Sequence, residues 1–153
     1  MTKTKFVYVT YIAAPRERIF EALIKPEFTR AYWEHENVSD WKAGSKWEHR
    51  TLDGSKVEMT GKVIEFDRPN RLVISWVTPQ SVADPDQTSR VTLELADMDG
   101  MVQLTVTHDE LESGSKMQQG IERGWPRVIA SLKSLLETGK PLPTWAKKEA
   151  ARS

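Results

Sequence analysis

The sequence predicts an α+β domain: a curved antiparallel sheet of about six to seven strands wrapped around one long C-terminal helix, with two short helices between the first and second strands. Three observations carry this. Ser115 to Glu137 reads as a single helix, because Met117, Ile121, Trp125, Val128, Leu132 and Leu135 recur every three or four residues and form one apolar stripe. The middle of the chain alternates apolar and polar residues between Asp-Gly turn signals, the pattern of antiparallel strands with one wet face. Near the N-terminus, one β-branched and aromatic run is followed by two short helical segments.

Taken in order, Phe6 to Ile12 is the first strand. Pro15 suits the first turn of a helix, where its missing N–H is no loss, and Arg16 to Ile24 places Ile19, Phe20, Leu23 and Ile24 on one face. Pro26 breaks that helix, and Glu27 to Trp33 makes the second. Ser39 to Trp41 is expected as a short strand, Lys46 to Thr51 as a clear one, and Asp53-Gly54 as a hairpin turn into Ser55 to Phe66. There the alternation of Val57, Met59, Gly61 and Val63 is broken by Ile64 and Phe66, which predicts a bulge or bend near Gly61. Arg71 to Val77, Ser89 to Ala96 and Met101 to His108 complete the sheet, the last two joined through Asp97 to Gly100, with Asp109 to Gly114 as a turn into the helix. Pro126 removes one helical hydrogen bond, so a kink near Gly124 or two abutting helices are expected. The single domain spans 1–153, with a core of about 5–139 and a tail of 140–153 in which Trp145 folds back.

Composition excludes several function classes. Lys plus Arg equals Asp plus Glu at 22 each, so no net field draws the chain to nucleic acid or an anionic membrane. Without cysteine there is no disulfide framework, thiol nucleophile or thiolate metal site. The N-terminus has no apolar signal core, and no apolar run approaches the ~20 residues that span a bilayer. A cytoplasmic protein without membrane insertion is the expectation. No glycine pattern fits a phosphate loop and no nucleophile elbow is present, so neither an ATPase nor a Ser-His-Asp hydrolase is supported. The three histidines lack metal-ligand spacing, so no metal is expected, and nothing implies a cofactor. The basic spots at Lys46, Arg50, Lys56 and Lys62, and at Lys140, Lys147, Lys148 and Arg152, are interleaved with acids and read as solvated surface.

Four segments carry a family resemblance: AAPRERIFEAL (Ala13 to Leu23), AGSKWEHR (Ala43 to Arg50), GKVIEFDRPNRLVISW (Gly61 to Trp76) and GWPRVIASLKSLL (Gly124 to Leu136). In this order they resemble the START-like (SRPBCC) superfamily, and most closely its branch of homologues of the activator of the 90-kDa heat-shock chaperone ATPase. The resemblance implies the helix-grip fold, in which a bent sheet wraps a long helix and leaves a cavity. It implies small-ligand binding as the common theme, with a chaperone as an alternative partner. It supplies no shared catalytic motif.

Strand parity sketches the cavity. Trp47, His49, Val57, Met59, Leu72, Ile74, Trp76, Leu104, Val106 and His108 share the concave side. Met117, Ile121 and Trp125 close it from the helix, and Trp33 lines the entrance. The expected ligand pocket is therefore Trp33, Trp47, His49, Met59, Ile74, Trp76, Val106, His108, Met117, Ile121 and Trp125, with solid packing at Leu93, Leu95, Val128, Leu132 and Leu135. Its occupant is a small apolar or aromatic molecule. Two other readings stand beside this one. A cyclase- or hydrolase-type enzyme would use His49 or His108 as its acid–base, since imidazole is the group that titrates near neutrality. A protein-interaction module would bind the chaperone or a second copy as a homodimer through an exposed apolar patch.

Overall fold

The computed structural model describes residues 2–143. Ten elements follow one another: β1 (Lys3–Ile12), α1 (Arg16–Ile24), α2 (Pro26–Trp33), β2 (His35–Ser39), β3 (Lys46–Thr51), β4 (Val57–Asp67), β5 (Arg71–Trp76), β6 (Ser89–Met98), β7 (Met101–Glu112) and α3 (Lys116–Thr138). The strands form one antiparallel sheet in the order β1-β7-β6-β5-β4-β3-β2. Because β1 pairs with β7, the first strand closes one side of the sheet, and α1 and α2 carry the chain across to its opposite edge. This is the helix-grip arrangement.

The core lies on the face that the sheet turns toward α3. Leu72, Ile74, Val91, Leu93, Leu104 and Val106 from the central strands are buried there, against Ile121, Trp125, Val128, Ile129 and Leu132 of the helix. Such burial is the main favourable term in folding, at ~25 cal/mol per Å² of apolar surface. Phe20 of α1 meets Phe66 of β4 edge to face at 5.3 Å, which seals one end. Tyr32 is fully buried, and its hydroxyl donates to the Ala22 carbonyl at 3.0 Å; burial pushes its pKa well above the usual phenol range.

Several elements differ from their expected bounds. The second strand is His35–Ser39, not Ser39 to Trp41, so His35 opens a strand. Glu34 causes this: it ends α2 in the left-handed conformation at φ 60° and turns the chain straight into the sheet. The segment HENVS is too polar to announce itself as a strand. In β4 the register slips opposite His49 and Arg50, and again between Val63 and Glu65, close to Gly61 and at the Ile64 where the alternation breaks. Gly61 has a different role. A Cβ there would fall on the Ser75 carbonyl, so β4 and β5 approach too closely for any side chain. The last strand runs on to Glu112, so Asp109 and Glu110 belong to it and not to a turn; Arg90 holds the Asp109 carboxylate at 2.5 Å.

The long helix is one uninterrupted run through Pro126. Buried side chains on both sides of the proline, Ile121 and Trp125 before it and Val128, Ile129 and Leu132 after it, pack both halves into the core. Both of its ends are capped. Ser115 accepts from the Gln118 N–H at 3.1 Å, and Gly139, at φ 84°, donates its N–H to Leu135. Lys133 and Glu137 fasten the far end to β1: Lys133 donates to the Tyr11 carbonyl at 2.7 Å, and Glu137 accepts from the Ala13 N–H at 2.8 Å. Trp145 and the basic residues Lys147, Lys148 and Arg152 lie outside the described residues.

Candidate functional site: an aromatic cavity under the helix

A hollow of about 220 Å³ lies between the N-terminal half of α3 and the β3–β4–β5 side of the sheet. Trp33, at the end of α2, forms one wall. Its ring lies 4.6 Å from that of His49, 5.3 Å from Trp125, and 6.5 Å from Trp76, nearly parallel to the last at 16°. Ile121, Gly124, Trp125 and Val128 form the roof, with Gly120 at the edge and Met59 below. The two glycines matter because they stand four residues apart on one helix face and leave that face without side chains.

His49 is the polar group of the inner wall. It is only 5% exposed and sits opposite both Asn37 and Met59 in the sheet. Its Nδ1 is 2.6 Å from the Asn37 side-chain oxygen, an acceptor, so Nδ1 carries the proton and Nε2 carries the lone pair. Asn37 is itself held, because its backbone N–H donates to the Thr29 hydroxyl at 3.2 Å. Burial, and then the neighbouring His35, push the His49 pKa down to about 3, so the ring is neutral. Among the described residues Nε2 meets no hydrogen-bond partner, yet it is not sealed off in the way that the indole N–H of Trp76 is.

His35 stacks on His49 at 4.2 Å and 10° and lines the mouth. Both of its ring nitrogens face acceptors: the Trp33 carbonyl at 3.0 Å and a Glu58 carboxylate oxygen at 2.7 Å. Glu58 reaches the cavity because of the register slip in β4. It is the extra residue between Met59, paired with His49, and Val57, paired with Arg50, so neighbouring residues turn toward the same side.

The expected pocket residues do not all meet in one place. Trp33, His49, Met59, Trp76, Ile121 and Trp125 come together around the hollow. Trp47 and Ile74 lie deeper, beside a recess of about 20 Å³ that shares Trp33, Trp76 and Trp125 with it. Val106 is in the solid core. Met117, one turn before Ile121, faces a separate space of about 70 Å³ with Ser89 and Leu111. Val128, expected in solid packing, instead lines the hollow.

His108 is fully buried and bonded at both ring nitrogens. The Trp125 indole N–H donates to Nδ1 at 3.1 Å, so Nε2 carries the proton and donates to the Ser89 hydroxyl at 2.8 Å. Ser89 in turn donates to the Trp76 carbonyl at 3.1 Å. Burial lowers the His108 pKa to about 3. With both ring nitrogens bonded, it ties β6, β7 and α3 together.

Sequence reasoning passed over His35, Glu58, Gly120 and Gly124 as cavity residues. The i, i+4 glycine pair on the apolar side of the helix was the available signal. Glu58 had none, since strand parity points it to the other face. Among the described residues no three His, Asp or Glu side chains gather as a metal site, and no helix is long and apolar enough to cross a membrane.

A single bent sheet cupped around one helix, with an aromatic hollow between them, defines a START-like domain. The family described as Activator of Hsp90 ATPase homolog 1-like protein matches residues 13–137, and the chain belongs to it. Among solved structures, the Aha1 dimer of Colwellia psychrerythraea is similar at 18% identity and TM-score 0.75, covering 90% of this chain and 98% of that one. A protein of Cytophaga hutchinsonii is similar at 27% identity and TM-score 0.71, covering 89% and 95%. CalU16 of Micromonospora echinospora is similar at 18% identity and TM-score 0.72, covering 97% and 81%. No curated protein matches the sequence.

Proposed function

We propose that this protein is a cytoplasmic binding module for a small aromatic molecule, held in the hollow under α3. The observation that carries the reading is the hollow itself: about 220 Å³ walled by Trp33, Trp76 and Trp125, with an open imidazole nitrogen on its inner wall. Aromatic walls with a few placed polar groups are the usual make-up of small-molecule sites. The volume favours one or two rings over a sterol, because an apolar cavity of ~150 Å³ holds benzene. The enzyme reading is weaker. A general base works best with a pKa near the operating pH, and His49 is held neutral down to about pH 3.

A thermal-shift screen of one- and two-ring aromatics tests the reading. A ligand at ~100 times its Kd raises stability by ~2.7 kcal/mol, a shift of roughly 5–10 °C for a domain of this size. Gly120→Trp should remove the shift by filling the mouth, since the space beside Gly120 is open and the helix accepts the side chain. No shift across the screen, or one that Gly120→Trp leaves intact, would remove the basis of the proposal.

A second reading, self-association, rests on a different surface. Val7, Val9 and Tyr11 stand 48%, 45% and 43% exposed in a row along edge strand β1. The similar Colwellia protein is described as a dimer. Sedimentation of this protein as a monomer at micromolar concentration would exclude it.

A further inference from the structure

We propose that the occupant of the hollow is a neutral, hydroxyl-bearing aromatic of the phenol or naphthol class, whose O–H donates to Nε2 of His49. This inference rests on the binding reading above and names the ligand's polar group.

Among the described residues, hydrogen bonding around the cavity leaves His49 Nε2 as the accessible open position. Asn37 fixes the His49 tautomer from behind, so what faces inward is a lone pair and not a proton. Both nitrogens of His35 are already engaged by the Trp33 carbonyl and Glu58. The indole N–H of Trp76 also lacks a partner, but its nitrogen is sealed from water, so a ligand meets His49 first. A ligand carrying only acceptors, such as a ketone or an ether, would set oxygen lone pairs against the Nε2 lone pair. A donor completes it, and a buried acceptor left unmade carries a real energetic cost.

The remaining ligand features follow from the walls. Among the described residues no lysine or arginine lines the hollow, and the Glu58 carboxylate stands at its mouth, so a phenolate or carboxylate finds no counter-ion there and a like charge on entry. Trp33 and Trp76 lie 16° from parallel and offer flat faces to a flat ring. His49 remains neutral across the ordinary pH range, so its nitrogen stays an acceptor.

The test compares naphthol, its methyl ether and naphthalene, which share size and shape and differ in the donor. Titration calorimetry on the full-length protein should show naphthol binding about tenfold tighter than the ether, the worth of one good hydrogen bond. His49→Phe should bring the two to equal affinity. In ¹⁵N-labelled wild-type protein, the His49 Nε2 resonance should move upfield with naphthol and stay in place with the ether, a readout that does not depend on the variant folding. Equal binding of all three, or a naphthol preference with an unmoved Nε2 resonance, overturns the proposal while leaving the cavity reading standing. Failure of all three to bind removes both.

Discussion

At the scale of single residues, two buried histidines on the same face of the sheet have opposite roles because of what surrounds their second nitrogen. His49 keeps Nε2 open to the hollow, whereas His108 is bonded at both nitrogens by Trp125 and Ser89. Strand parity puts both on the concave side and says nothing of this difference. It arises because His108 on β7 sits under the Trp125 indole, whereas His49 lies four strands away on β3, against Asn37 of the edge strand β2. The Ser89 hydroxyl is the hinge of the His108 network, since it accepts from the ring and donates to the Trp76 carbonyl. Ser89→Ala leaves the buried His108 Nε2–H without its partner and takes one bond from the Trp76 carbonyl, so it should lower the unfolding free energy by ~1–3 kcal/mol. Urea unfolding followed by tryptophan fluorescence measures this; a change within ~0.5 kcal/mol would show that the network is not structural.

At the scale of elements, glycines mark the two places where backbone or cavity must be left free. Gly61 allows β4 to meet the Ser75 carbonyl of β5, and the Trp47 indole donates to that same carbonyl at 2.7 Å. Gly120 in α3 has open space where a Cβ would stand. The same substitution should therefore have opposite signs at the two sites. Gly61→Ala should destabilise by ~1–3 kcal/mol, because backbone cannot move aside. Gly120→Ala should stabilise by up to ~1 kcal/mol, because alanine is the better helix former and meets nothing. Paired denaturant melts decide it, and a Gly61→Ala protein as stable as the parent would contradict the close approach of β4 to β5. The helix also shows why Pro126 is tolerated: packing of Ile121 and Trp125 on one side and Val128 and Leu132 on the other outweighs one lost hydrogen bond.

At the scale of the whole molecule, burying two neutral histidines makes stability depend on pH. Both have folded pKa values near 3, below the ordinary 6.5. Between those values the unfolded chain binds protons that the folded one does not. Their contribution is thus fully present above about pH 6.5 and is lost as pH falls toward 3, by at most ~1.4 kcal/mol per pH unit for each ring. His49 faces His35, whose charge adds to the shift, while Asp109 beside His108 opposes it. Chemical denaturation at pH 7.5 and pH 5 should show a clear fall at the lower pH; equal stabilities would mean that the rings protonate without leaving their sites.

The order of elements, the turn signals, the long C-terminal helix and the concave-face residues of the central strands were all legible in the sequence, because each depends on local periodicity and on residues with strong backbone preferences. Trp33, His49, Met59, Trp76, Ile121 and Trp125 could be brought together on paper, since parity on strands and spacing on helices survive folding unchanged. What tertiary structure alone decided is which of those side chains keep an open surface. The register slip that turns Glu58 inward, the left-handed Glu34 that starts β2 at His35, and the bonding of His108 all depend on partners distant in sequence. A lone pair is free or taken according to what lies across the sheet from it, and no local pattern carries that information.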